Sequence, residues 1–186
     1  MKPVDKKNLL NSLEEKVERH VKMVIAEFQN LPPSVLMKTA SDGGWSIAQC
    51  LDHLNGYGDH YLAEIKKKID RSEDDDQCVF KSTWLGRYFT SMMDPDSGKR
   101  KFTTFKNHIP KNDLDAHKVI AEFIQQQEHL LGYLRKGKLK NLNAIRIPIS
   151  ISNWIRLKLG DVFQFVIAHN ERHIRQAMRN KASQGN

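Results

Sequence analysis

The stretch Leu159-Gly160-Asp161-Val162-Phe163-Gln164-Phe165-Val166-Ile167-Ala168-His169-Asn170-Glu171-Arg172-His173-Ile174-Arg175-Gln176-Ala177-Met178-Arg179 decides how this chain folds. Val162, Phe163, Val166, His169, His173 and Ala177 recur at three- and four-residue steps, which predicts an amphipathic helix with these residues on one side. His169 and His173 therefore stand one turn apart on the stripe that must be buried. Two imidazoles so placed can grip one metal ion. They can equally be hydrogen-bonded packing residues, and spacing alone does not choose between these readings.

Working outward, three more segments show the same periodicity. Leu10, Leu13, Val17, Val21, Val24 and Phe28 predict a helix over about Asp5 to Asn30, ended by Pro32-Pro33. Ser46, with Gln49 three residues on, forms a capping box. The helix it opens carries Ile47, Cys50, Leu51, Leu54, Tyr57, Tyr61 and Ile65 and fades near Asp70. Ala116, Val119, Ile120, Phe123, Ile124, Leu130, Leu131 and Leu134 predict a helix over about Asp113 to Leu134, with Gly137 as its stop. Between these, Val79 to Lys111 reads as a long middle connection, with a short helix possible at Trp84 to Phe89 and a turn at Asp94-Pro95-Asp96-Ser97-Gly98. Asn141 to Lys158 is rich in isoleucine but broken by Pro148, which predicts an extended loop or a short strand. Four long amphipathic helices in 186 residues predict an all-α chain, one domain over residues 1–186, packed as an antiparallel four-helix bundle.

Composition narrows the function classes. No apolar run is long enough to span a bilayer. The stretch from Met1 to His20 lacks the apolar core of a signal peptide, and Cys50 and Cys78 make no disulfide framework, so a cytoplasmic protein is expected. The net charge of +8 gathers at Lys66-Lys67-Lys68, Lys99-Arg100-Lys101 and Arg135 to Lys140. Two of these clusters fall near helix C-termini, where cations complement the dipole. None is interleaved with aromatic residues as a single-strand stacking platform would be, so no specific nucleic acid is expected as partner.

His53 lies near the apolar side of the helix after Ser46, and two packed helices could unite it with His169 and His173. Around these, several residues admit two readings. Tyr57 can offer its phenol to a substrate or pack with its hydroxyl satisfied. His60, two turns beyond His53, is too distant to share its ion but can line a pocket. Gln176 can orient a ligand from behind or simply pack. Cys50 reads as a small buried hydrophobe before a nucleophile. Glu171 falls roughly 200° around the helix from His169, so it should point away from any ion, and the segment lacks the H-E-x-x-H order of a metalloprotease. Asp52 should point about 100° from His53. His20 and His129 read as structural, and Trp45 as an apolar group guiding the chain into the bundle.

Two blocks resemble the DinB/YfiT-like superfamily. Gly44-Trp45-Ser46-Ile47-Ala48-Gln49-Cys50-Leu51-Asp52-His53-Leu54 is similar to that family's W-S…H-L helix start. Gly160-Asp161 through His169-Asn170-Glu171-Arg172-His173-Ile174-Arg175-Gln176 is similar to its final H-x-x-R-H-x-x-Q helix. Thr104-Phe105-Lys106 to Pro110 and the helix that follows are similar to its middle section. The resemblance implies an up-down-down-up bundle and a divalent metal held by His53, His169 and His173, with zinc or nickel suited to such nitrogen ligands. It further implies a metal-dependent hydrolase or a transferase using a low-molecular-weight thiol, a small-molecule substrate, and a homodimer. No general acid or base is assigned. The alternative is a non-catalytic helical bundle that binds a ligand or partner.

Overall fold

The computed structural model describes residues 2–40, 43–97 and 109–184. Four long helices form the body: α1 (Lys6–Glu27), α3 (Ile47–Ile69), α5 (Ala116–Gly137) and α6 (Leu159–Gln184). Three of them start where the sequence satisfies the free amides of a first turn. Asp5 accepts from the Asn8 amide, Asp115 from that of Lys118, and Ser46 and Gln49 complete the reciprocal capping box. Short helices α2 (Pro33–Leu36) and α4 (Trp84–Met93) lie in the connections, followed by a 3₁₀ turn at Pro95–Ser97.

Side-chain pairs across the bundle define its direction. His20 and Glu27 of α1 meet Glu171 and Lys181 of α6, so those helices run parallel. Glu14 of α1 meets Lys138 just past α5, while Val24 and Phe28 cluster with Ala116 to Phe123 at its start, which makes α1 and α5 antiparallel. Asn55 and Asp70 of and beside α3 meet Val119 and Lys136 of α5, a parallel pair. His53 meets His169, and Tyr61 packs on Phe165, an antiparallel pair of α3 and α6. The topology is up-down-down-up. It requires a long connection between the parallel α3 and α5, which the Val79–Lys111 stretch supplies.

The extended Asn141–Lys158 region is an antiparallel hairpin, β3 (Arg146–Ile149) and β4 (Ser152–Lys158), with an irregularity at Pro148 and Ile149. Pro148 cannot donate to the ladder, and such residues sit at edges and bulges. Ile147, Ile149 and Leu157 face inward and seal one end of the core. A second small pair joins β1 (Val4–Asp5) to β2 (Val79–Phe80). Residues Thr104-Phe105-Lys106 and the cluster Lys99-Arg100-Lys101 lie outside the described residues.

The interior divides into two apolar clusters. One holds Leu10 to Val17 of α1, Tyr61 to Ile69 of α3, Leu130 and Leu134 of α5, and Leu159 to Ile167 of α6. The other holds Val24 and Phe28, Ile47 to Leu54, Ala116 to Phe123, and Ile174 and Ala177. Between them in every helix come buried polar residues: His20; His53 and Asn55; Gln126 and Gln127; His169, Asn170 and His173. A polar layer thus crosses the bundle at mid-height.

One buried carboxylate sets the position of α4. Asp161, in the first turn of α6, is fully buried and accepts from the Thr83 amide (3.1 Å), the Thr83 hydroxyl (2.8 Å) and the Ser82 hydroxyl. Thr83 in turn caps α4 through the Gly86 amide at 2.9 Å. Beside it, a Cβ on Gly160 would come within 2.6 Å of the Phe80 ring. Gly160→Ala is therefore expected to overpack this corner and cost about 1–3 kcal/mol, read as a lowered denaturation midpoint with unchanged helical circular dichroism.

Candidate metal centre

His53 comes from the second turn of α3, and His169 and His173 from the middle of α6. Antiparallel packing brings all three together. One ring nitrogen from each lies within 4.8 Å of the other two, and the Nε2 atoms of His53 and His169 are 3.1 Å apart. All three residues are buried, with 3–8% of their surface exposed. Nitrogens around a tetrahedral zinc stand roughly 3.3 Å from one another, as bond lengths near 2.0–2.1 Å require. The spacing found here fits that need with small side-chain adjustments. This is the only group of three or more such potential ligands among the described residues.

The protonation state fits as well. Burial first, and then the neighbouring His53, hold His173 down to about 3, so its ring is neutral at physiological pH. Its Nδ1 donates to the Gln176 side-chain oxygen at 2.9 Å. That bond fixes the tautomer and leaves the Nε2 lone pair for a ligand role. Gln176 is thereby placed directly behind the His173 ring.

Aromatic rings wall the cluster. Trp45 lies 4.8 Å from His53 and stacks on His173 at 5.6 Å between centroids. The sequence favours a chain-guiding role for Trp45 over substrate stacking, and its backbone oxygen does accept from Asn180. Its place against two of the histidines had one available signal, its position eight residues before His53. On the opposite side Tyr57 meets His169 edge-on at 4.5 Å, and Phe165 stacks on His169 at 5.8 Å. Burial, with Tyr61 adding to it, pushes the Tyr57 phenol up to about 12, so it stays protonated.

Tyr57 and Phe165 also line a narrow recess of about 50 Å³, together with Tyr61, Phe89, Met92 and Ile149. The recess is built by α3, α6, α4 and the hairpin, and it abuts the histidines. His60 does not line it. That ring is half-buried and its Nε2 donates to the Pro148 carbonyl at 3.2 Å, tying α3 to the hairpin. Asp52 is turned toward Lys111, and burial raises its carboxyl.

Glu171 points away from the cluster, toward α1. It accepts from His20 at 2.6 Å and pairs with Arg175, which also reaches Asp96 at 2.8 Å. The His20 bond, followed by Arg175, holds the Glu171 carboxyl down to about 2. His20 is thus a structural partner of α6. His129, expected to be structural too, is exposed on α5.

The comparisons with known proteins agree with this architecture. The profile described as the DinB superfamily matches residues 16–177. The chain belongs to the DinB superfamily. A solved structure of similar shape is YfiT from Bacillus subtilis, described as "a probable metal-dependent hydrolase with an unusual four-helix bundle topology". It is 15% identical, with a TM-score of 0.57, over 97% of this chain and 87% of that one. The likeness is one of fold. No curated protein matches the chain. No helix among the described residues is long and apolar enough to cross a membrane.

Burial pushes the Cys50 thiol up to about 12, against a weak pull from Arg179. Its thiolate fraction at pH 8 is then about 10⁻⁴. Cys78 is exposed. A thiol-reactive dye at pH 8 is expected to label Cys78 alone in the native protein and both cysteines after unfolding. Rapid native labelling of Cys50 would contradict its inert, packed role.

Proposed function

We propose that this protein is a metal-dependent enzyme acting on a small molecule, with His53, His169 and His173 holding one divalent ion. The observation that carries the reading is the convergence of three buried imidazoles, one of them held neutral and oriented by Gln176, beside a recess large enough to admit part of a substrate. Three protein ligands leave a coordination position open, the pattern of catalytic rather than closed structural sites. Zinc or nickel suits three imidazoles. When bound, such an ion supplies a concentrated positive charge that acidifies a water or a thiol in contact with it.

The chain's own residues do the rest. Gln176 keeps His173 in one tautomer. Trp45 and Phe165 restrict water on two sides of the cluster, which strengthens electrostatic interactions there. The protonated Tyr57 presents a donor at the junction of cluster and recess. The recess itself is lined mainly by aromatic and aliphatic groups, so the part of the substrate seated there is apolar and uncharged. His60 acts at one remove, through the hairpin that forms the recess wall.

Both hydrolysis and transfer to a low-molecular-weight thiol are compatible with this site. An electrophile consumed with water alone favours the first. Consumption that begins only on adding a thiol such as glutathione or bacillithiol favours the second.

Metal analysis tests the reading. The wild type is expected to hold close to one zinc or nickel ion per chain, and His169→Ala/His173→Ala to hold less than about a tenth of that while remaining helical. Failure of the wild type to bind either ion after incubation and desalting would leave the histidines as packing residues. The protein would then be a non-catalytic bundle.

A further inference from the structure

The β3–β4 hairpin turns one face into the core and the other to solvent. Ile147 and Leu157 lie opposite each other on the ladder and are buried. Their neighbours alternate outward. Arg146 lies opposite Lys158, and Pro148 opposite Arg156. Trp154, two residues before Arg156 on the same face, is 95% exposed. Like charges directly across a ladder repel. Burial first, then Arg146, with Lys81 adding to them, holds the Lys158 amine below its ordinary range.

Helix α4 extends this face. The Lys158 amine donates to the Lys81 carbonyl at 2.6 Å, and Thr83 donates to Asp161, so α4 begins beside the end of β4. At its other end Met92 and Met93 line the recess together with Ile151, just before β4. The helix therefore runs alongside β4 in the opposite direction. Its solvent side carries Trp84, 71% exposed, stacked on Tyr88 at 5.9 Å, with the exposed Arg87 one turn from Trp84. Ile151 and Ile155 are exposed as well. Two indoles, a phenol and two isoleucines thus share a surface with Lys81, Arg87, Arg146, Arg156 and Lys158.

The chain offers these cations no counter-charge. None of the five forms an ion pair among the described residues. The Asp161 carboxylate is buried and taken up by Ser82 and Thr83. Residues 98–108, outside the described ones, contain no aspartate or glutamate. Lys38 and Trp45, which flank Asp42 in the sequence, have their carbonyls held by Asn180. That residue stands about 30 Å along α6 from Lys158.

We infer that this face docks on an anionic lipid surface, with Trp154, Trp84 and Ile151 at the interface and the five cations among the headgroups. Charge sets the sign of the partner and disfavours a second copy of the same face, since five positive charges would meet five. The aromatic and aliphatic content sets its kind. Trp and Tyr settle at the headgroup level of a bilayer, and each basic residue near an anionic leaflet adds to binding. Single-stranded nucleic acid calls for rings laid as platforms along a basic groove, whereas the Trp154 side chain stands clear of the protein. The recess fits the same partner. Ile151 belongs both to its lining and to this face, so an apolar molecule can pass from lipid to recess without crossing bulk water. Such docking needs no membrane-spanning helix, and it holds whether or not the histidines bind an ion.

Cosedimentation of the full chain with vesicles tests the inference. The protein is expected to pellet with phosphatidylcholine vesicles containing about a third phosphatidylglycerol, to stay free with phosphatidylcholine alone, and to be released as salt rises. Trp154→Ser keeps the net charge and should weaken binding about tenfold. Arg146→Gln/Arg156→Gln should weaken it by about as much or more. Lys22→Gln/Lys118→Gln removes the same charge beside the other apolar cluster and should stay within about twofold of wild type. All these side chains are exposed, so the variants are expected to fold, which circular dichroism checks. Absence of pelleting with the anionic vesicles at low salt overturns the proposal. So does an affinity that Trp154→Ser leaves unchanged, or one that the Lys22/Lys118 variant lowers equally. Oligothymidylate is the competing probe: its binding in place of the vesicles, lost in Trp154→Ser, would assign the face to nucleic acid and overturn the lipid reading.

Discussion

Burying three imidazoles between α3 and α6 is the constraint on which this structure turns. A buried polar ring without a partner costs about 1–3 kcal/mol, so the two helices must meet in the one register that lets the rings serve each other. His53 opposite His169, at 3.1 Å, is that register. The rest of the mid-height layer obeys the same rule. Asn170 donates to Gln127, Gln126 to the Asn55 carbonyl, and Asn55 to the Val119 carbonyl. His20 and Glu171 tie α1 to α6. An apolar bundle can slide by a turn at modest cost. One crossed by paired polar groups cannot, since each slip leaves several of them unsatisfied.

The same layer accounts for the chemistry available. Apolar clusters on both sides keep water away, and low polarity holds His173 neutral. The recess forms where the bundle is opened by additions to it. Asp161 anchors the start of α4 to the start of α6, and α4 then lays Phe89 and Met92 beside Phe165. The hairpin contributes Ile149 from the other side. Stability and site geometry are therefore coupled through Asp161, which touches neither the histidines nor the recess.

Much of this was legible in the sequence because it rests on local periodicity. The four helices appear within a few residues of their expected limits, since an apolar stripe and a cap such as Ser46–Gln49 act over one or two turns. His53, His169 and His173 stood out for the same reason. Less legible were the pieces whose form depends on distant partners. The Asn141–Lys158 stretch is a hairpin because Ile147, Ile149 and Leu157 find the bundle end to cover, and Pro148 tolerates a ladder irregularity. The short α2 begins with Pro33, a residue suited to a first helical turn. The role of Asp161 had no local signal, because its hydroxyl partners Ser82 and Thr83 lie nearly eighty residues earlier.

What the sequence by itself determined is which residues must be buried and on which helical faces, because the 3.6-residue period acts on each segment alone. It thereby set the four long helices, the Ser46–Gln49 cap, the bundle class and the placing of His169 and His173 one turn apart. Only the tertiary structure decided that α3 meets α6 antiparallel at His53, that Trp45 and Tyr57 close around the imidazoles, and that Gln176 is the side chain bonded to His173. Those outcomes depend on how stripes from separate helices interdigitate and on which buried polar groups find partners, and both are properties of the packed chain.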